Sequence, residues 1–578
     1  MRRTLLALLI SALTAAACSD DRDAGAVADE NAITTTTAAL STTTAVSDDS
    51  GTGDGDDEPP LFGLPVLTPS PVSPLAATLE LETGQSVELR ITATSGDHTV
   101  ITPWTAEPAR DHLLPLVGLR SERTYDVEIE ARLSDGETAF VETAFTTGAL
   151  PNNIPDFTLT IDADRSAPGV TILELNPVQA VLNGIGNPIV GIDDEGEVVW
   201  YYQSSAISGA FTGAVQQGPN GTVYAQNHPF GAREFTIDGR LVRTIGAAPN
   251  DEAGTTELDG GGIGVAYHAD WIDLRTVHHD ISPMPDNTVI FLSSTVHEIT
   301  PEQRAAIGCG PDDTFEWHPF SDVIVHMDAD GTVLRTWDLW DVISFDDLPG
   351  NFLCQRAGID VTELERDWTH ANSVFFDAER SAIIVSVRHT DQLIALDFTA
   401  DLGPQTGVRW ILGAAGTIPY EGESFHHTHG AMVDTDGSIV VYDNGNFRPG
   451  TVLGGGEAAP YSRAVRIDVD DSSEDPADWT ARQVWDHVLD DPKTGTLAYA
   501  PIVSDADALP NGNVLVTHGG LGGFASFQHV HIVEYAPAGA RNGDVVWELQ
   551  LGEPGDEVTM YRADRWESLY FRPLWESS

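Results

Sequence analysis

"IVHMDADGTVLRTWDL", residues 324–339, sets one apolar run against another across an Asp-rich turn ending in glycine, and closes near a tryptophan. Runs of period two on either side of Asp/Gly turn chemistry read as a β-hairpin, because a helix would need a 3.6-residue period and would not tolerate that turn. The unit recurs as "VGIDDEGEVVWYY" (190–202), "FTIDGRLVRTIG" (235–246), "ALDFTADLGPQTGVRWIL" (395–412), "AVRIDVDDSSEDPADWTARQVWDH" (464–487) and "IVEYAPAGARNGDVVWELQL" (532–551). Hairpins spaced by about forty to seventy residues predict an all-β chain whose main domain, 155–578, is a six-bladed β-propeller, where radial repetition protects the sheet edges. Trp410, Trp485 and Trp547 end outer-strand runs, which places them in the core between blades.

Upstream, "ATLELE", "SVELRITAT", "YDVEIEARL" and "AFVETAFTTG" alternate in the same way within 61–150, the size of a small N-terminal β-sandwich domain. "GALPNNIPDF" (148–157) reads as the linker. The opening "MRRTLLALLISALTAAAC" has a basic start, a short apolar stretch and small residues before a cysteine. That pattern predicts a lipoprotein-type signal over 1–18, with Cys18 as the lipidated residue and plain secretion as the fallback. Residues 19–60 are too rich in Thr, Ser, Asp and Gly to fold, and read as a tether. An exported chain lies in an oxidising compartment, where Cys309 and Cys354 are candidates for one disulfide stapling a loop.

The chain has 29 basic against 89 acidic residues, a formal charge of −60, and a single lysine, Lys493. A nucleic-acid partner is excluded, since phosphate neutralisation needs a basic face. Contact with a membrane is expected only through the lipid anchor, and the oligomeric state, monomer or homodimer, is left open. An anionic substrate would need a local arginine to offset the field, and Arg388 is the candidate.

A second repeat points to the site. His279, His370 and His429 each stand seven positions before an aspartate at a turn, Asp286, Asp377 and Asp436, and Gly213 and Ser504 hold the same register before Asn220 and Asn511. In a propeller a shared register means a shared radial position, so the three histidines should converge on the channel. The hairpin through Asp377 returns Arg388 to the side of His370. Asn372, two residues on, shares the strand face of His370 and either orients its ring or caps the ladder. Three imidazoles allow a zinc-type site with an open position or nucleophilic catalysis with acid–base support. Arg388 favours the second, because a guanidinium opposes a dication but suits a tetrahedral oxyanion.

"DWTHANSVFFDAERSAIIVSVRH" (367–389), "HHDISPMPDNTVIFLSS" (278–294) and "HHTHGAMVDTDGSIVVYDNGNFR" (426–448) resemble segments of the bacterial arylsulfate sulfotransferase family, as do "SPLAATLEL", "HLLPLVGL" and "TTGALP" in the N-terminal domain. The resemblance implies transfer of a sulfuryl group from a phenolic sulfate ester to a phenolic acceptor by a ping-pong route, with no metal and no adenylyl-phosphate donor. It implies that His370 becomes sulfurylated, that Arg388 binds the sulfuryl oxygens, and that His279 and His429 assist the phenolic oxygen and hold the group. His278 and His427 are neighbours that could take those places. The rival readings are a metal-dependent hydrolase or lyase, a sulfatase using water, and a non-catalytic binding propeller.

Overall fold

The computed structural model describes residues 60–177, 187–203, 211–228, 231–247, 269–272, 276–297, 300, 302, 320–343, 369–401, 407–491, 493–522, 529–536, 543–552 and 558–576. Cys18, Cys309, Cys354, the signal segment and the tether lie outside them.

The N-terminal domain is built on one 19-residue strand, Ala77–Ser95. Its first part pairs with Val66–Pro69 and Ala109–Leu116, and its second part with His98–Ile101 and Thr124–Arg132. The ladder with Ala109–Leu116 shifts between Glu82 and Val87, and there the strand passes from one set of partners to the other. Period-two alternation turns Leu79, Leu81, Leu89, Ile91, Tyr125, Val127 and Ile129 into one buried core.

Six main sheets follow, each built on four antiparallel strands, which run in chain order in all but the first; Ala269–Ile272 and Tyr420–Glu421 add a parallel edge strand to the second and the fifth. The first holds Val170–Pro177, Pro188–Ile192 and Val198–Gln203, and is completed by the C-terminal strand Val558–Trp566. The second runs from Phe211–Gln217, the third from His278–Pro283, the fourth from Ala371–Asp377, the fifth from Thr428–Val433 and the sixth from Asp505–Ala508. Phe157–Ile161, just past the linker, adds an edge strand to the sixth. These five starting strands and Val558–Trp566 touch one another in a closed cycle.

The hairpin chemistry read from the repeats is present. In the first sheet Asp193 N–H donates to Glu197 O at 3.0 Å and Gly196 takes φ +81°; in the third, Asp328 N–H donates to Thr332 O at 3.0 Å and Gly331 takes φ +85°. A left-handed residue at that position is what glycine supplies without Cβ strain. Between sheets the core is apolar and continuous: Trp410 packs with the fifth sheet's Val441, Val465 and Ile467, and Trp547 packs with the first sheet's Leu173 and Val190. Both are buried; Trp485 is only partly so, against the cluster joining the fifth and sixth sheets.

Where the inner strands meet, the interior is charged. Arg562 on the C-terminal strand is surrounded by Glu174, Asp280, Asp505, Asp507 and Asp564. The first three are buried; Asp507 and Asp564 are half-buried, each with one oxygen shut from solvent. Burial pushes the Asp505 carboxyl up to about 6 and that of Asp564 up to about 7. A carboxyl raised in the folded state stabilises the fold below its ordinary value of 3.8, and loses that contribution as pH rises through its folded value. Asp564→Asn should therefore gain melting temperature relative to wild type progressively between pH about 4 and about 8. Parallel thermal melts would test this, and a pH-independent difference would sink it.

Candidate active site

Five of the six inner strands break their ladders near their starts, and Asp505–Ala508 alone of the six pairs without a break. In the third sheet His279 and Asp280 are left unpaired between the pairs His278↔Leu292 and Ile281↔Phe291. In the fourth the extra residue is Asn372, in the fifth Gly430, and in the C-terminal strand Tyr561 and Arg562. A bulge twists the strand and re-aims its side chains, so four sheets bring unpaired residues to one place. His279, His370 and His427 have φ of +56°, +49° and +56°. Histidine tolerates that left-handed region better than most residues, and such strain gathers at functional sites.

The equal spacing to the turn aspartates does not correspond to an equal ladder position. Asp286 and Asp436 sit inside the loops that follow the last pairs, Pro283↔Val289 and Val433↔Ile439, whereas Asp377 is itself the last paired residue, opposite Ala382. His279 and His429 therefore lie four residues before the hairpin's end and His370 seven. His370 stands at the entrance of its strand, and its carbonyl accepts from Arg388 N–H at 3.2 Å.

That offset does not separate the rings. The ring centroids of His279 and His370 are 4.7 Å apart at 69°, and His389 lies 4.5 Å beyond His370. Tyr561 stands between His279, at 6.2 Å, and His429, at 5.1 Å. Arg388 opens a short 3-10 turn after the returning strand and is buried, with Nη2 donating to Pro501 O at 2.9 Å.

His278, the neighbour of His279, has Nε2 3.1 Å from Asp322 Oδ1 and Nδ1 2.8 Å from His279 Nδ1. His427 is held at the edge of the group by Asp391, whose Oδ1 lies 3.1 Å from its Nδ1 and accepts its backbone N–H at 2.7 Å. Asn372 donates to Thr428 O at 2.7 Å, so its amide ties the fourth sheet to the fifth.

Burial, followed by the charges of Arg562 and Arg388, holds the His429 imidazole well below the usual histidine range, so the ring is neutral. Its Nδ1 lies 2.7 Å from Ser504 O. A carbonyl only accepts, so Nδ1 carries the proton and Nε2 the lone pair.

Tyr561, Arg562, Asp280 and Asp322 escaped the sequence reading. Tyr561 and Arg562 lie in "MYRADRW", a C-terminal strand with no Asp/Gly turn after it, and so outside the repeat that picked out the histidines. Among the described residues no three His, Cys, Asp or Glu side chains are arranged to hold a metal ion.

The arylsulfotransferase (ASST) family matches residues 182–562, and the arylsulfotransferase Ig-like domain matches residues 64–148. The curated arylsulfate sulfotransferase AssT of Escherichia coli O6:H1 is 22% identical over 255 residues, covering 34% of this chain and 39% of that protein. Its counterpart in Lelliottia amnigena is 24% identical over 249 residues, covering 33% and 38%. The matched stretch thus spans under two fifths of these relatives' length. Among solved structures, a protein of unknown function from Bacteroides caccae aligns at a TM-score of 0.35 and 14% identity over 69% of this chain and 98% of its own. A luciferin-regenerating enzyme aligns at 0.30 and 10% over 70% and 99%. With matches to both its N-terminal Ig-like domain and the larger part of the chain beyond, the protein belongs to the arylsulfotransferase family.

Proposed function

We propose that the protein moves a sulfuryl group from a phenolic sulfate ester to a second phenol through a covalent sulfohistidine, on a six-bladed propeller whose inner strands form the channel. The closed cycle of six inner strands and the six apolar clusters joining successive sheets support the architecture. The observation that carries the chemistry is a neutral imidazole with a fixed lone pair, His429, under the field of Arg388 in a chain of this family.

Sulfuryl transfer parallels phosphoryl transfer: the transition state is loose, charge gathers on the equatorial oxygens, and catalysis is positioning plus electrostatic stabilisation. Arg388 is the group for those oxygens, since its planar fork binds two of them at once. A histidine nitrogen attacks sulfur, the S–O bond breaks toward the phenoxide, and a second phenol takes the group in reverse. The family resemblance gives the covalent step to His370. The site geometry favours His429 for it, because a nucleophile must be unprotonated with its lone pair directed: burial and the charges of Arg562 and Arg388 meet the first condition, and Ser504 O, by holding the proton on Nδ1, meets the second. His279 and His370, in ring contact, then serve the oxygen of the entering or leaving phenol. Phenolate is a good leaving group, so neither a metal nor a nucleotide donor is part of the reading. Export and anchorage through Cys18 complete it.

The first test is release of p-nitrophenolate from its sulfate ester. Release should rise when a second phenol is added and persist with a chelator present. A chelator-sensitive reaction would move the site to the metal reading, and no release from any aryl sulfate would leave a binding propeller.

His429→Ala and His370→Ala should each lose most activity, but peptide mapping of the quenched donor-only reaction should find the sulfuryl group on His429. Finding it on His370 would return the covalent step to that residue. Arg388→Lys should lower kcat by about 100-fold, as loss of a bidentate oxyanion partner does. Retention of kcat with a raised KM would show Arg388 to bind the ester without acting in the transition state.

A further inference from the structure

Asp322 is buried in the strand Phe320–Met327, behind the histidines rather than among them. Its two oxygens hold two parts of the site. Oδ2 accepts from Thr369 Oγ1 and from Ala371 N–H, both at 2.5 Å, gripping the chain on either side of His370. Oδ1 lies 3.1 Å from His278 Nε2.

That Nε2 also faces Ser293 O at 3.1 Å. Carboxylate and carbonyl oxygens both accept, so His278 Nε2 carries a proton. On the other side of the ring, Nδ1 of His278 meets Nδ1 of His279 at 2.8 Å, with the rings at 89°. The two nitrogens share one proton in that contact. When His279 takes a further proton at Nε2, the positive charge can pass through His278 toward a carboxylate. His429 has no such backing: its Nδ1 rests on a carbonyl, and Arg562 and Arg388 both oppose a positive ring there.

We propose that Asp322, acting through His278, makes His279 the acid that gives a proton to the leaving phenoxide and the base that regains one from the incoming phenol, an inference that rests on the transfer proposed above. In the donor half the N–S bond forms as the S–O bond breaks. The electron pair of that bond goes to the phenolic oxygen, which takes the Nε2 proton of His279. In the acceptor half His279 Nε2 removes the proton of the incoming phenol, whose oxygen attacks sulfur, and the N–S pair returns to the nucleophilic nitrogen. The proton is conserved over the cycle. Among the described residues, the titratable rings facing His279 are His278 of its own sheet, His370 of the fourth and Tyr561 of the C-terminal strand; Asp322 stands behind His278, and Asp280 is the next residue along the chain. Arg562 is paired with Asp280 at 3.1 Å. Asp322 is a positioning residue, reaching the substrate only through the two histidines.

The test compares phenyl sulfate, whose leaving group needs a proton, with p-nitrophenyl sulfate, whose leaving group needs little help. Asp322→Asn and His278→Gln should lower kcat/KM for phenyl sulfate by about 100-fold or more and for p-nitrophenyl sulfate by about 10-fold or less. His278→Gln leaves the grip of Asp322 on Thr369 and Ala371 in place, so it reports on the relay even where Asp322→Asn disturbs folding. Equal losses on both esters, with melting temperatures unchanged, would overturn the proposal.

A second readout needs no turnover. In nitrogen-15 histidine spectra, the titration of His279 should fall by about one pH unit in Asp322→Asn. If wild type turns over no aryl sulfate, the transfer reading fails as a whole; if the His279 titration ignores Asp322, the relay alone fails.

Discussion

One of the buried arginines, Arg562, governs how the inner strands can approach one another. From the C-terminal strand it reaches Asp280 of the third sheet at 3.1 Å, Asp505 of the sixth at 3.5 Å and the carbonyl of Asn372 in the fourth at 2.8 Å. A guanidinium that stays charged cannot be left in an apolar interior alone, because stripping its water costs several kcal/mol. Carboxylates from separate sheets must therefore come to it, and their sheets come with them. The fifth sheet shows how tight that approach is: a Cβ built on Gly430 would lie 1.8 Å from Asp505 Oδ1, and the residue has φ +58°. Only glycine fits there.

Much of the architecture was legible because its signals are local. Alternation and Asp/Gly turns act within a dozen residues, and the hairpins around Gly196 and Gly331 form as their sequences dictate. The tryptophan pattern was local too, and buried Trp410 and Trp547 follow it, while Trp485 is covered less completely. The histidines could be picked out, but their register could not. Whether a turn aspartate lies inside the loop, as Asp286 does, or in the ladder, as Asp377 does, depends on pairing that spacing does not encode.

What stayed hidden was non-local. Tyr561 and Arg562 enter the site because Val558–Trp566 pairs with Val170–Pro177, nearly four hundred positions upstream. Asp322 looks like the polar start of an apolar strand, and its duties emerge only when His278 and Thr369 pack against it. The residue type alone says little in such a site. His427 leans on Asp391, His278 on Asp322 and His429 on a carbonyl, and these supports hold the same side chain by different ring nitrogens.

The C-terminal strand has a consequence for how the molecule comes into being. The first sheet begins near residue 170, yet its innermost strand ends at Trp566, and that strand delivers the tyrosine and arginine facing the histidines. A nascent chain holding every histidine would still have an open ring and an unfinished site. Completion of the site thus waits on a single docking event, after the last histidine has been made, and local fraying of that seam would open the site while most of its sheets stayed folded.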